Sequence, residues 1–96
     1  MNETTRHDKH LRMVAIVLHW AWDPIGIRGI EEALDEYDSY AGPVLDLLER
    51  KAADQEVADY LTSIERDSME LQPRPEKNAD IATMLGQLHL LRLGEA

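Results

Sequence analysis

Apolar residues recur at helical spacing over the first quarter of the chain. One stripe holds Leu11, Val14, Ala15, Leu18 and Trp22, and a second beside it holds Met13, Ile16, Val17 and Trp20. Because apolar residues cover almost the whole circumference, this helix is predicted to be central and buried on several sides. We expect it to span about residues 6–21, with a capping box at its start, Thr5-Arg6-His7-Asp8.

The segment after Trp22 contains residues that interrupt a helix. Pro24 disfavours a helical backbone at Asp23, so the first helix is expected to end near Trp22. Gly26 and Gly29 then weaken regular structure. Residues 27–34 are therefore open to two interpretations, as helix or as loop.

The two interpretations place the second helix differently. In the first, one helical face ends at Gly42 and contains Ile27, Ile30, Leu34, Tyr37 and Ala41. In the second, the helix begins near Asp35 or at Ser39, runs to Ala52, and turns inward Tyr37, Tyr40, Val44, Leu47 and Leu48. The second puts several acids in the first turn, where the helix dipole favours them. Pro43 counts against it, since an interior proline costs ~3 kcal/mol unless it lies near the helix start or opens a new helix.

Two more helices are predicted in the second half of the chain. Asp54 suits an N-cap, and an amphipathic pattern follows to about Leu71, with Val57, Tyr60, Leu61 and Ile64 on its apolar face. Residues 72–75 form a loop, and a last helix runs from about Glu76 to Gly94 with Ile81, Met84, Leu85, Leu88 and Leu91 turned inward. With no convincing strand, the chain is predicted to be all-α, a compact array of four to five helices in a single domain over residues 1–96.

The amino-acid composition limits the cellular compartments and the classes of partner that the protein can be expected to have. The 96 residues include no cysteine, which excludes disulfides and thiolate metal sites and fits a reducing cytoplasm. No stretch approaches the ~20 apolar residues of a membrane helix, and the polar start lacks the features of a secretion signal, so we expect a soluble, cytoplasmic protein. The net charge of −9 repels nucleic acid and attracts a basic protein surface.

The sequence contains no recognisable catalytic motif. The few serines and threonines lie in no nucleophile pattern, and His7, His10, His19 and His89 lack the spacing of a metalloenzyme. We therefore predict no enzyme, no catalytic residue and no cofactor. The carboxylates Asp23, Asp35, Glu36 and Asp38 leave metal binding as an alternative, although they follow no calcium-loop pattern.

Aromatic residues and acids cluster around the junction of the first two helices. We predict that Trp20, Trp22, Pro24 and Tyr37 form a structural joint there, with Trp22 and Tyr37 packed together. The exposed neighbours are predicted to form a partner-binding surface of Asp35, Glu36, Asp38 and Tyr40, joined by Asp23 if the loop folds back. A tyrosine among carboxylates is suited to contact arginine.

These motifs carry a resemblance to a known family. Trp22-Asp23-Pro24-Ile25-Gly26 and Asp35-Glu36-Tyr37-Asp38-Ser39-Tyr40, followed by generic helical segments to residue 71, resemble a family of small all-helical bacterial proteins with no assigned biochemical function. The resemblance implies an all-α fold in which D-E-Y-D-S-Y leads a helix. It also implies a likeness to some immunity proteins that neutralise bacterial toxins.

The leading functional prediction is thus a small acidic binding protein that occludes a basic protein partner, as an immunity protein does. The alternatives are a carboxylate metal-binding protein and a homodimeric structural or regulatory domain, in which leucines of residues 81–93 pair two copies.

Overall fold

The computed structural model describes residues 3–33 and 35–93, with side chains for residues 7–33 and 35–91. Helix α1 spans Glu3–Val17 and continues as a π-helical turn, Leu18–Trp22. A short 3-10 turn, Glu31–Ala33, precedes α2 at Asp38–Glu49. Helix α3, Asp54–Ser63, ends in a second π-helical turn, Ile64–Ser68, and α4 spans Pro75–Leu93. The described residues contain no strand, so the all-α prediction is confirmed.

The structure decides between the two interpretations of residues 27–34. Residues 24–30 form turns, in which Gly26 and Gly29 adopt left-handed backbone with φ of 72° and 81°. A helical face running from Ile27 to Ala41 is therefore wrong, because this backbone breaks any helix. Helix α2 begins at Asp38 and contains Pro43. Because the helix has just begun, Pro43 removes only the early bond that the Ser39 carbonyl would have accepted.

Several predicted helix ends are corrected. Helix α1 is already formed at Glu3, so Thr5 lies inside it and the predicted capping box is wrong. Ala53, not Asp54, is the N-cap of α3, and the Asp54 carboxylate instead accepts a hydrogen bond from the Thr83 hydroxyl at 3.1 Å. This bond ties the start of α3 to α4. The predicted helix end at Gly94 lies outside the described residues.

The four helices enclose one core. His10 near the start of α1 lies against His89 near the end of α4, while the Trp22 carbonyl meets Arg74 just before α4 begins. Helices α1 and α4 therefore run in opposite directions. The core members that are fully buried are Val14, Leu18, Trp22, Val44, Leu45, Val57, Leu61, Ala82 and Leu85.

The inward face of α4 differs from the prediction. Ile81 and Leu85 are buried and Leu88 is half-buried, whereas the side chains of Met84 and Leu91 are 42% and 66% exposed. Leucines occur so often in this helix that several faces are equally apolar, and contact with α1 and α3 selects one of them. No helix in the described part of the chain has the length and apolar content needed to span a bilayer.

Candidate functional site

The end of α1 is shaped by a π-helical turn and a left-handed residue. The Asp23 N–H donates to the Leu18 carbonyl at 3.0 Å, which closes the wide turn. Asp23 itself adopts φ 39° and ψ 60°, a conformation that Asp tolerates better than most residues. Pro24 follows and disfavours right-handed helix at this position. The chain therefore leaves the helix sharply, with Trp22 fully buried at its last turn.

The Asp23 carboxylate organises the loop that follows. Its Oδ1 accepts hydrogen bonds from the Ile27 N–H at 2.7 Å and the Tyr37 hydroxyl at 3.0 Å, and its Oδ2 accepts one from the Arg28 N–H at 3.2 Å. Burial alone would raise the pKa of Asp23, but these hydrogen bonds outweigh it and hold the pKa below its usual value. This arrangement places Asp23 in the joint, where both of its carboxylate oxygens already accept hydrogen bonds.

The predicted contact between Trp22 and Tyr37 is confirmed. Their ring centroids lie 5.4 Å apart, and Tyr40 packs edge-on against Trp22 at 5.9 Å. Tyr37 is buried, and its hydroxyl accepts the Ile25 N–H at 3.2 Å while donating to Asp23. Burial, together with the Asp23 carboxylate, raises the pKa of Tyr37 to about 12, although the bond from Ile25 opposes the shift. Tyr37 therefore stays protonated and fastens the start of α2 to the loop after α1.

The prediction that Trp20 belongs to this joint is wrong, because Trp20 lies outside it. Its side chain is 50% exposed and its ring packs edge-on against His19 at 5.0 Å. Positions 20 and 22 project to different sides of the turn, so only one of them reaches the core. Pro24 is half-buried in the turn beside Asp23, within the joint.

The remaining predicted surface residues divide by exposure. Asp35, Glu36 and Asp38 are exposed, and none forms an ion pair with another side chain in the described ranges. Glu31 and Glu32 are exposed just before them. We call these residues the acidic surface: Glu31, Glu32, Asp35, Glu36 and Asp38. Tyr40 is half-buried against Trp22, so it borders this surface and does not project from it.

A second polar cluster, which the sequence analysis did not identify, surrounds Glu65. The carboxylate is fully buried; Oε1 accepts the Arg74 N–H at 3.0 Å and the Asn78 amide at 2.8 Å. Its Oε2 accepts hydrogen bonds from Nε and Nη2 of the Arg74 guanidinium, with Nη2 at 2.6 Å. The same Nη2 donates to the Trp22 carbonyl at 2.9 Å. We call Glu65, Arg74 and Asn78 the Glu65 cluster; it links the ends of α1 and α3 to the start of α4.

The charge of Glu65 is maintained by its partners. Burial alone would raise the pKa of this carboxyl, but the hydrogen bonds from Arg74 and Asn78 and the charge of Arg74 hold it below its usual value. One signal in the sequence pointed to this residue. Val57, Leu61 and Glu65 are spaced four apart, so an acid occupies the apolar stripe of α3. Such a position demands a buried partner.

Three of the four histidines, His10, His19 and His89, are buried. His19 is buried, and its Nε2 accepts the Gly29 N–H at 3.2 Å, so it supports the loop after α1. His10 and His89 are buried with their ring centroids 5.7 Å apart. Within the described residues, no three side chains of the metal-binding types gather around a common point.

Searches of the chain against protein-family models, curated proteins and solved structures gave no match. The resemblance of the W-D-P-I-G and D-E-Y-D-S-Y motifs to small bacterial helical proteins, and through them to immunity proteins, therefore stays a prediction.

Proposed function

We propose that the protein is a small acidic binding module that occludes a basic surface of a protein partner, in the manner of an immunity protein. The observation that carries the proposal is the placement of the acidic surface next to a fixed anchor. Asp35, Glu36 and Asp38 are exposed on either side of Tyr37, which is buried and hydrogen-bonded to Asp23. The carboxylates therefore project from a backbone that is already held in place.

Fixed charges are better suited to docking than flexible ones. A preorganised surface loses less conformational entropy on binding, so more of the interaction energy appears as affinity. Unpaired exposed carboxylates also accelerate encounter with a basic partner, and this effect weakens with salt. Occlusion works by covering the partner's surface and requires no catalytic group.

The test uses arginine-rich and lysine-rich octapeptides as defined basic probes, followed by nuclear magnetic resonance of the backbone amides. We expect both peptides to shift the amides of residues 31–40, and both effects to weaken as salt is raised. Arginine should bind more tightly than lysine where the half-exposed ring of Tyr40 is reached, because guanidinium stacks on aromatic faces. Shifts spread evenly over all exposed acids would contradict the proposal.

A charge-reversal pair supplies the matched control. The double variant Asp35→Lys/Asp38→Lys should lose most of the binding. Asp46→Lys/Glu49→Lys makes the same change in net charge at exposed positions of α2 outside the acidic surface, and should retain most of it. Equal losses in the two variants would show that net charge alone attracts the peptides, and the proposal would fail.

A further inference from the structure

A groove lies between α1 and α4. It has a volume of about 470 Å³ and is lined by Lys9, Arg12, Met13, Ile16, Val17 and Leu88. We call it the α1–α4 groove. Its floor is apolar, and Ile16 leaves 48% of its side chain exposed there. Covering an exposed aliphatic side chain of this size contributes favourably to the free energy of binding a partner.

Exposed apolar residues extend this groove along both helices. Trp20, in the π-helical turn after α1, lines an adjoining pocket with Arg12 and Ile16. Met84 and Leu91 lie one turn to either side of Leu88 on α4. Trp20, Met84 and Leu91 are all exposed. The result is an apolar strip between two antiparallel helices, which is the geometry that receives the apolar face of a third helix.

The rim of the groove carries the opposite charge to the rest of the protein. Lys9 and Arg12 are exposed beside the apolar floor, and neither forms an ion pair with any side chain that the structure describes. The chain as a whole has a net charge of −9. A partner that covers the floor therefore meets two unpaired cations, and acidic residues on that partner complement them.

A second copy of this chain fits the groove poorly. A two-fold symmetric dimer uses the same patch on both subunits. Such a dimer would bring Lys9 and Arg12 of both copies into one interface, where like charges oppose each other. Charge thus favours a different partner over self-association through this face.

We propose that the α1–α4 groove binds an amphipathic helix of a partner protein, with apolar residues at i, i+3 or i+4, and i+7, flanked by acidic residues. The groove is a separate site from the acidic surface, although Arg12 on its rim also lines a pocket with Asp38. The protein would then join two partners of opposite charge, a basic one at the acidic surface and an acidic helix at the groove.

The test is a display library of amphipathic helical peptides with randomised flanking residues, selected against the full chain. We expect the selected peptides to carry a net negative charge and the stated apolar spacing. Their affinity, measured by titration calorimetry, should fall about tenfold or more in Ile16→Glu and in Lys9→Glu/Arg12→Glu. A tenfold loss corresponds to ~1.4 kcal/mol of binding free energy. Circular dichroism establishes that each variant remains helical.

Two controls separate this proposal from its rivals. Arg50→Glu/Lys51→Glu makes the same charge change at exposed positions away from the groove and should leave the affinity unchanged. Asp35→Lys/Glu36→Lys changes the acidic surface but keeps Asp38, which lines a pocket with Arg12. This variant should also bind normally, so that failure of the acidic surface and failure of the groove are distinguishable. Selected peptides with net positive charge, or peptides that bind Ile16→Glu as well as the parent, would overturn the proposal. So would a parent chain that sediments as a dimer and becomes monomeric in Ile16→Glu, because the occupant would then be a second copy.

Discussion

Helices α1 and α3 end with similar backbone shapes but are secured by different chemistry. Each finishes in a π-helical turn, Leu18–Trp22 or Ile64–Ser68, and a left-handed residue follows, Asp23 with φ 39° or Glu70 with φ 55°. At the first end, aromatic rings pack around Trp22 and Asp23 caps the loop. At the second, a partly buried ion pair between Arg74 and Glu65 holds the chain. Arg74 joins the two ends through the Trp22 carbonyl.

The difference between these ends concerns how each responds to the loss of one group. The aromatic joint draws its stability from buried apolar area, which is shared by several rings and survives the loss of a single hydroxyl. The Glu65 cluster depends on matched charge around a carboxylate that is itself fully buried, so removal of the cation leaves that carboxylate uncompensated. Loss of one polar group is therefore expected to lower the free energy of unfolding slightly at the first end and strongly at the second.

The largest effect is expected from Arg74→Met. The variant leaves the Glu65 carboxylate buried without its cation, which costs about 3–5 kcal/mol in comparable pairs. Because the Arg74 side chain is 32% exposed, we expect the lower end of that range in the free energy of unfolding, measured with urea. Arg66→Met is the matched control: it breaks the exposed pair with Asp67, in the same π-helical turn as Glu65, and should leave stability essentially unchanged. Similar losses in both variants would contradict the role given to Glu65.

A smaller effect is expected from Tyr37→Phe. The variant keeps the ring packed on Trp22 but removes the hydroxyl that donates to Asp23 and accepts from Ile25. Net losses for such hydrogen bonds are about 1–2 kcal/mol. Tyr60→Phe serves as control, since the Tyr60 hydroxyl forms no hydrogen bond with the described residues. A loss in Tyr37→Phe as large as that in Arg74→Met would erase the contrast between the two ends.

The two ends also respond to acid. The pKa values of Asp23 and Glu65 are both lowered by folding. Their stabilising contributions are therefore fully present above the unfolded-state values, ~3.9 for Asp and ~4.3 for Glu, and are lost as pH falls through the folded-state values. Each carboxyl changes the free energy of unfolding by at most ~1.4 kcal/mol per pH unit.

Arg74→Met should weaken the acid dependence that Glu65 confers. Without the guanidinium, the residue-74 N–H and the Asn78 amide still donate to Glu65, but its pKa rises relative to the parent because burial is opposed by fewer partners. The stability gap between variant and parent should therefore narrow as pH falls through the pKa of Glu65 in the variant. Urea titrations at a series of pH values measure this difference. A constant gap between variant and parent would mean that Arg74 does not control the ionisation of Glu65.

The smallest effect is expected from Trp20→Ser. Trp20 is half-exposed beside His19, outside the joint, so the free energy of unfolding should change by about 0.5 kcal/mol or less. Trp22→Leu is the comparison, and it should be clearly destabilising because it removes the ring on which Tyr37 and Tyr40 pack. A large loss of unfolding free energy in Trp20→Ser would indicate that Trp20 is part of the joint after all.

The sequence predicts the aromatic end well because its residues are rare and restrictive. Trp22, Pro24 and Tyr37 each limit backbone or packing, and together they leave few arrangements. The inward turn of Asp23 escaped prediction, because acids near a loop are mostly exposed. Its hydrogen bonds to Ile27 and Arg28 exist only once the loop has its left-handed start.

The Glu65 cluster was harder to foresee. Glu65 stands out on an apolar stripe, but its partner Arg74 lies nine residues later in a proline-flanked loop. Nothing local indicates that this loop folds back over the end of α3. The outward positions of Met84 and Leu91 have a similar origin, because a leucine-rich helix offers several apolar faces and only the neighbouring helices select among them.

The different surroundings of Trp20 and Trp22 give the protein two natural fluorophores with separate meanings. Trp22, excluded from solvent, should emit at shorter wavelength and resist acrylamide quenching until the chain unfolds. Trp20, half in water beside the α1–α4 groove, should emit further to the red and be quenched readily. A bound helix that covers Trp20 would shift only the red component, so occupancy and unfolding are distinguishable in one emission spectrum without any added label.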